Sequence, residues 1–163
     1  MAKFHLPFFG EIYLEGNPVY LETEIKLNEN AVKVDLNIDA AEIELSVLES
    51  ANNYLNNIAR FDQENQEYIR KDYSEDSTGV VHSYLEHHVE ELSIEGLATI
   101  IEASENQEQQ LLKCLHVVRI GLYPDSEDSF AIFDYSIGTA ITQYLIAITR
   151  DRKGNCTDLA MES

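Results

Sequence analysis

The stretch VYLETEIKLNENAVKVDLNID, residues 19–39, decides the fold class of this chain. Apolar or β-branched side chains alternate with polar ones on both sides of the polar run at residues 28–30. A period of two places successive side chains on opposite faces of a strand, and two such runs around a short turn predict a β-hairpin. Each strand then buries one face and leaves the other in water, as in an antiparallel sheet that is covered on one side.

The water-facing side of the first strand carries Tyr20, Glu22 and Glu24. Aromatic side chains anchor protein interfaces, and acidic side chains steer basic partners towards them. These three residues are therefore the candidate partner-binding surface. The alternative is that Tyr20 only stabilises pairs between neighbouring strands.

The periodicity becomes helical after this hairpin. Apolar side chains recur at helical spacing over residues 40–60, and Asp39 with Glu42 has the spacing of a capping box, so we expect a helix over 40–60. Residues 60–73 either extend this helix or begin another one. The polar run YSEDSTG breaks the chain, and further helices are predicted over residues 80–92 and 94–115.

Strand patterns occupy both ends of the chain. They are HLPFFGEIYL (5–14, with Pro7 indicating a sheet edge), HVVRIGLY (116–123), FAIFDYSI (130–137), YLIAIT (144–149) and CTDLAMES (156–163). The loop RDRKGN before the last strand places Gly154 where a hairpin needs a positive φ. Strands, then helices, then strands predict one α+β domain over residues 1–163. Terminal strands would form a largely antiparallel sheet, and the middle helices would cover one face.

Composition narrows the classes of partner. The chain has 163 residues, of which 30 are Asp or Glu and 11 are Lys or Arg, giving a net charge of −19. Such a charge repels phosphates, so we expect neither nucleic acid nor an anionic membrane as a partner, and a basic protein is favoured. No signal peptide or membrane span is recognisable, which favours a cytoplasmic protein. Cys114 and Cys156 lack metal-ligand spacing and are expected to be free thiols.

The stretch HSYLEHHVEEL, residues 82–92, is the densest group of potential metal ligands. A zinc-protease helix has two histidines four positions apart, so that both imidazoles reach one ion. Here His82, His87 and His88 diverge by about 100° to 140° around the helix. We therefore predict no metal site, although a metal-dependent enzyme that uses this cluster remains the alternative.

One histidine of this helix lies on its apolar stripe. His88 is therefore expected to be buried and hydrogen-bonded in the core, while His82 and His87 each have a glutamate four positions later, Glu86 and Glu91. These two pairs predict ion pairs on the helix surface.

No recognisable motif points to catalysis. The chain lacks a GxSxG nucleophile elbow and a glycine-rich phosphate loop, and PDSEDS lacks the glycine and the glutamate of a calcium loop. We therefore predict no catalytic residues and no cofactor.

Both ends of the chain carry a family resemblance. LPFFGEIYL near the start, and IGLYPD, FAIFDYSIG and TQYLIAITRDRKGNCTDLAMES towards the end, resemble a bacterial family with a domain of unknown function, number two thousand and four. The resemblance spans most of the chain, with a looser match in the middle helices, and closes on Met161, Glu162 and Ser163. It implies a fold more than a reaction. Small acidic families of this kind look like toxin-neutralising immunity proteins.

The sequence therefore predicts a non-catalytic acidic module that binds a protein, such as an immunity protein. The alternatives are the metal-dependent enzyme and a housekeeping module whose acidic surface only maintains solubility.

Overall fold

The computed structural model describes residues 2–14, 16, 18–40, 42–92 and 106–163. Within these ranges the strands are β1 (Ala2–Leu6), β2 (Gly10–Leu14), β3 (Val19–Leu27), β4 (Asn30–Ile38), β5 (His116–Leu122), β6 (Ala131–Ser136), β7 (Leu145–Arg150) and β8 (Cys156–Glu162). The helices are α1 (Leu45–Asn56), α2 (Ile58–Glu75), α3 (Val80–Glu91) and α4 (Gln107–Cys114).

Strands β3 to β8 form one sheet whose spatial order follows the sequence order. All neighbours are antiparallel except β4 and β5, which run parallel. A parallel pair needs a long crossover, and the helices between β4 and β5 supply it on one face of the sheet. The predicted α+β fold, with a largely antiparallel sheet and a one-sided helical layer, is confirmed.

The predicted β3–β4 hairpin forms, with Val19 opposite Ile38 and Leu27 opposite Asn30. Its two turn residues, Asn28 and Glu29, have φ of 51° and 70°. Positive φ at both positions produces the primed turn whose twist matches the twist of the two strands. The predicted loop between β7 and β8 is also confirmed, with Gly154 at a φ of 96°.

The N-terminal prediction was wrong in one respect. Residues 5–14 do not form one strand of the main sheet, because Pro7 lies in the turn of a separate two-stranded hairpin made by β1 and β2. Phe8 and Gly10 have φ of 69° and 74°, which reverses the chain within three residues. Leu6 and Ile12 are buried, so this small sheet packs on the domain core.

The helix predicted over residues 40–60 was wrong at both ends. It begins at Leu45 with Glu44 as its N-cap residue, so Asp39 is not its cap. The backbone N–H of Asp39 instead donates to Asp125 Oδ2 at 2.6 Å. Asn57 interrupts the helix before α2 begins, and its side-chain amide donates to the Asn53 carbonyl at 2.7 Å. Asparagine side chains compete for backbone groups, which explains the break.

Helix α3 is held at its start by a residue of α2. The Val81 backbone N–H donates to Asp72 Oδ2 at 3.2 Å, and Gly79 leaves room for that carboxylate, because a Cβ at this position would lie 2.9 Å from it.

Of the helix predicted over residues 94–115, the part at 94–105 lies outside the described residues. The remainder is α4, where the Asn106 side chain accepts from the Gln109 N–H at 3.0 Å.

The core between the helices and the sheet contains polar groups as well as apolar ones. Arg150 is buried on β7, donates to Asn65 Oδ1 at 2.8 Å and lies over the Phe61 ring. The Tyr135 hydroxyl donates to Asp62 at 2.7 Å. Burial raises the pKa of Asp62, and this hydrogen bond opposes the rise. Among the described helices, none is long and apolar enough to cross a membrane.

Candidate functional site

The sheet face opposite the helices, here called the open face, carries the candidate partner-binding residues. The strand register places Tyr20, Glu22 and Glu24 on it together, opposite Asn37, Asp35 and Lys33 of β4. Tyr20 is 61% exposed. Glu22 is partly neutralised, because its carboxylate lies 3.3 Å from the Lys33 ammonium.

Arg119 of β5 lies at the middle of the open face. Its guanidinium binds Asp35 through two bonds, from Nε at 2.8 Å and from Nη2 at 2.9 Å. Nη1 reaches Asp134 of β6 at 3.3 Å, and Nη2 donates to the Tyr123 hydroxyl at 2.8 Å. One side chain therefore connects three neighbouring strands through charge-assisted hydrogen bonds.

The two carboxylates beneath Arg119 are largely withdrawn from water. Burial by itself would lower the pKa of Arg119, but the hydrogen bonds with Tyr123 and Asp35 and the charge of Asp35 raise it overall. Burial raises the pKa of Asp134, and the pairing with Arg119 opposes that rise. The centre of the open face thus holds two carboxylates against one guanidinium, and all three groups are engaged within the network.

Sequence reasoning missed this network. Asp35 stands between Val34 and Leu36, and Asp134 between Phe133 and Tyr135, so both were recognisable as charges on water-facing positions of strands. Their meeting at Arg119 follows from β5 lying between β4 and β6.

The end of the open face near Tyr20 has a different electrostatic character. The Tyr20 hydroxyl donates to the Asp39 carboxylate, and Asp125 accepts the backbone N–H groups of Asp39 and Ala40. The hydrogen bond to Asp39 raises the pKa of Tyr20. Neither Asp39 nor Asp125 has a cationic partner in the described part of the chain. We call Tyr20, Asp39 and Asp125 the acidic corner.

A shallow depression of about 400 Å³ lies between the acidic corner and Arg119. It is lined by Tyr20, Leu21, Glu22, Lys33, Asp35, Asn37 and Arg119. The register of the strands also shows which charged side chains lie on the open face. The carboxylates are Glu22, Glu24, Asp35, Asp134, Asp158 and Glu162, and the cations are Lys26, Lys33 and Arg119. Carboxylates outnumber cations, so this face is net acidic.

The histidine cluster at residues 82–92 is divided among different surroundings. His88 is buried as predicted: Nδ1 donates to the Tyr84 carbonyl at 2.6 Å, and Nε2 accepts from the Thr142 hydroxyl at 2.8 Å. Burial lowers the pKa of His88, and the hydrogen bond to Tyr84 opposes the change. The ring therefore belongs to the packing of α3 against the β6–β7 connection.

The other two histidines of the cluster do not form the expected pairs. His82 stacks on Tyr73 with ring centroids 4.1 Å apart, and its Nε2 donates to the Tyr73 carbonyl at 2.7 Å. Its Nδ1 lies 3.5 Å from Glu108 of α4, in place of the predicted Glu86. His87 packs edge-on against Tyr144.

In the described ranges, no three His, Cys, Asp or Glu residues form a group that could hold a metal ion. Cys114 and Cys156 are not joined in a disulfide, as predicted, and burial raises the pKa of both thiols.

No family model, curated protein or solved structure was found to match this chain. The family resemblance of its two ends therefore stays a prediction from the sequence.

Proposed function

We propose that the open face is a docking surface for a cationic protein, and that the acidic corner at one end of this face makes the main contact. The observation that carries this proposal is the exposed Tyr20 ring beside two carboxylates that lack cationic partners among the described residues. A tyrosine that is rigidly held at its hydroxyl contributes contact area at a small entropic cost. The neighbouring carboxylates supply complementarity to Lys or Arg of the partner.

The net charge of −19 supports a mechanism in two steps. Long-range attraction first raises the rate of encounter with a basic surface. Contacts of the Tyr20 ring and the acidic corner then hold the complex, and the sheet behind them is a rigid support. A bound sheet face of this kind blocks whatever groove or active site the partner presents to it.

The resemblance of the chain ends supports placing the protein among bacterial immunity proteins. In that function the partner is a basic toxin, and binding neutralises it without any chemical step. This is compatible with the absence of a recognisable catalytic motif in the sequence.

The test compares three immobilised proteins. They are the wild type, an open-face variant (Tyr20→Ala, Glu24→Gln, Asp39→Asn) and a control (Tyr68→Ala, Glu67→Gln, Glu75→Gln). The control likewise removes one tyrosine ring and two negative charges, but on α2. Proteins retained from a lysate of the source cells are identified, purified and titrated against each variant at several salt concentrations. We expect one basic protein to bind the wild type and the control, and to bind the open-face variant at least about tenfold more weakly.

The affinity should also fall steeply between low salt and about 0.5 M NaCl, because the interaction is largely electrostatic. Equal binding of the purified partner to the open-face variant would contradict the proposed surface. Coexpression then tests the immunity class: the protein should suppress the toxicity of the partner, and the open-face variant should not.

A further inference from the structure

A groove of about 670 Å³ lies between α2 and α4, on the helical side of the molecule and away from the open face. Its lining residues in the described part of the chain are Gln66, Arg70, Tyr73, Ser74, Gln109, Leu112 and Lys113. Most of its wall is apolar, and its volume falls in the range of about 300–1,000 Å³ that is typical of small-molecule sites.

The apolar wall is fixed by contacts outside the groove. Tyr73 stacks on His82 with ring planes 13° apart, and the His82 ring also donates to the Tyr73 carbonyl. On the opposite helix, Leu112 packs against the core. A wall that is already ordered loses little conformational entropy when a ligand binds.

The polar side chains of the groove fall into two groups. Gln66 donates to the Leu115 carbonyl at 3.1 Å, and Ser74 donates to the Lys71 carbonyl at 3.1 Å, so both are engaged within the protein. Arg70 and Lys113 have no ion-pair partner among the described residues.

These two cations stand out against the composition of the chain. Acidic residues outnumber basic ones by 30 to 11, yet the only charged side chains among the described lining residues are the two cations. Glu108, which precedes Gln109 on α4, directs its carboxylate towards His82 at 3.5 Å. The described lining of the groove is thus positive, although the molecule as a whole is strongly negative.

We infer that this groove binds a small amphipathic anion, with an apolar body on Tyr73 and Leu112 and a carboxylate or phosphate head between Arg70 and Lys113. The apolar wall selects the body, and the two cations select the head through charge-assisted hydrogen bonds. This site is independent of the open face, and its ligand is of the opposite charge to the proposed protein partner.

The test is calorimetric titration of the whole chain with decanoate, decyl phosphate, decanol and acetate, each below its aggregation concentration. We expect saturable one-to-one binding of decanoate or decyl phosphate, with the tighter of the two identifying the head group. Decanol, which lacks the charge, should bind at least about tenfold more weakly, and acetate, which lacks the body, should not bind measurably.

The variants Arg70→Gln and Lys113→Gln should each weaken binding of the anion by about tenfold. Lys71→Gln is the matched control, because Lys71 neighbours Arg70 on α2 but lies outside the groove lining. Circular dichroism and urea unfolding verify that all variants are folded. The inference is overturned if neither anion saturates, if decanol binds as tightly as decanoate, or if Lys71→Gln weakens binding as much as Lys113→Gln.

Discussion

His88 belongs to a closed circuit of hydrogen bonds between α3 and the β6–β7 connection. It donates to the Tyr84 carbonyl and accepts from Thr142, whose hydroxyl accepts from the Tyr144 N–H. The Tyr84 hydroxyl donates to the Tyr144 carbonyl at 3.1 Å, which completes the circuit. The angular position of His88 on the helix predicted its burial, but Thr142 is 54 residues away, and the sequence gives no means of identifying it.

This circuit predicts a loss of stability in mild acid. The pKa of His88 is lowered in the folded protein and is about 6.5 in the unfolded chain, so between the two values the unfolded chain binds more protons. The stability that the circuit with neutral His88 contributes is therefore fully present above about pH 6.5. It is lost as the pH falls towards the pKa of His88 in the folded protein. Urea unfolding at pH 7.5 and pH 5.5 measures the free energy of unfolding. Its fall between these two pH values should be larger in the wild type than in His88→Gln, by up to about 1.4 kcal/mol.

Comparing how steeply the free energy of unfolding changes with pH in the two proteins separates the effect of His88 from that of buried carboxyl groups such as Asp62 and Asp134. Their pKa values are raised, so they change stability in the opposite direction. The exposed His5 provides the control, and His5→Gln should follow the wild type. Parallel curves for the wild type and His88→Gln would refute the prediction.

At the scale of elements, Arg119 connects the parallel pair of strands, β4 and β5, to the antiparallel neighbour β6. It lies on β5 and binds Asp35 of β4 and Asp134 of β6. The alternation of side chains showed which side of β3 and of β4 faces water. It does not reveal the order of the strands in the sheet, because the crossover between β4 and β5 contains all four described helices. The end of the first helix was predicted wrongly for a local reason, since the Asn57 side chain binds the Asn53 carbonyl, which a continuous helix would use for a backbone hydrogen bond.

Arg119→Met should therefore destabilise the sheet strongly. It leaves two mostly buried carboxylates close together without a cation, and since the guanidinium is itself partly exposed we expect a cost of about 2–3 kcal/mol, below the roughly 3–5 of a fully buried pair. Urea unfolding at pH 7.5 measures this cost.

Two further variants test whether the uncompensated carboxylates cause this loss of stability. Adding Asp35→Asn to Arg119→Met should recover part of the loss, because it removes one of the uncompensated charges. Lys33→Met breaks only the exposed pair with Glu22 and should cost less than about 1 kcal/mol. A similar effect of Lys33→Met and Arg119→Met would show that the network is not what holds the strands.

At the scale of the whole molecule, the net charge of −19 acts against compactness. Few of the described carboxylates are neutralised by ion pairs, so like-charge repulsion over the surface dominates. Salt shortens the range of this repulsion, from a Debye length of about 10 Å at 0.1 M to about 3 Å at 1 M.

Raising NaCl from about 0.02 M to 0.5 M should therefore increase the free energy of unfolding by about 1 kcal/mol or more. Urea unfolding across the salt series at pH 7.5 measures the increase. Towards about pH 4, where carboxyl groups become neutral, the same salt step should have a smaller effect. A fall in stability with added salt at pH 7.5 would instead indicate that attractive ion pairs dominate.

The sequence by itself determined the α+β class, the β3–β4 hairpin, the buried and water-facing sides of that hairpin and the burial of His88. These features depend on periodicity and on contacts between residues close in the chain, which a sequence records directly. Only the tertiary structure decided that Arg119 joins Asp35 to Asp134, that Tyr20 adjoins Asp39 and Asp125, and that Arg70 and Lys113 share a groove. Such contacts depend on the order of the strands and on how the helices pack, and these result from the burial of the whole core rather than from any local pattern.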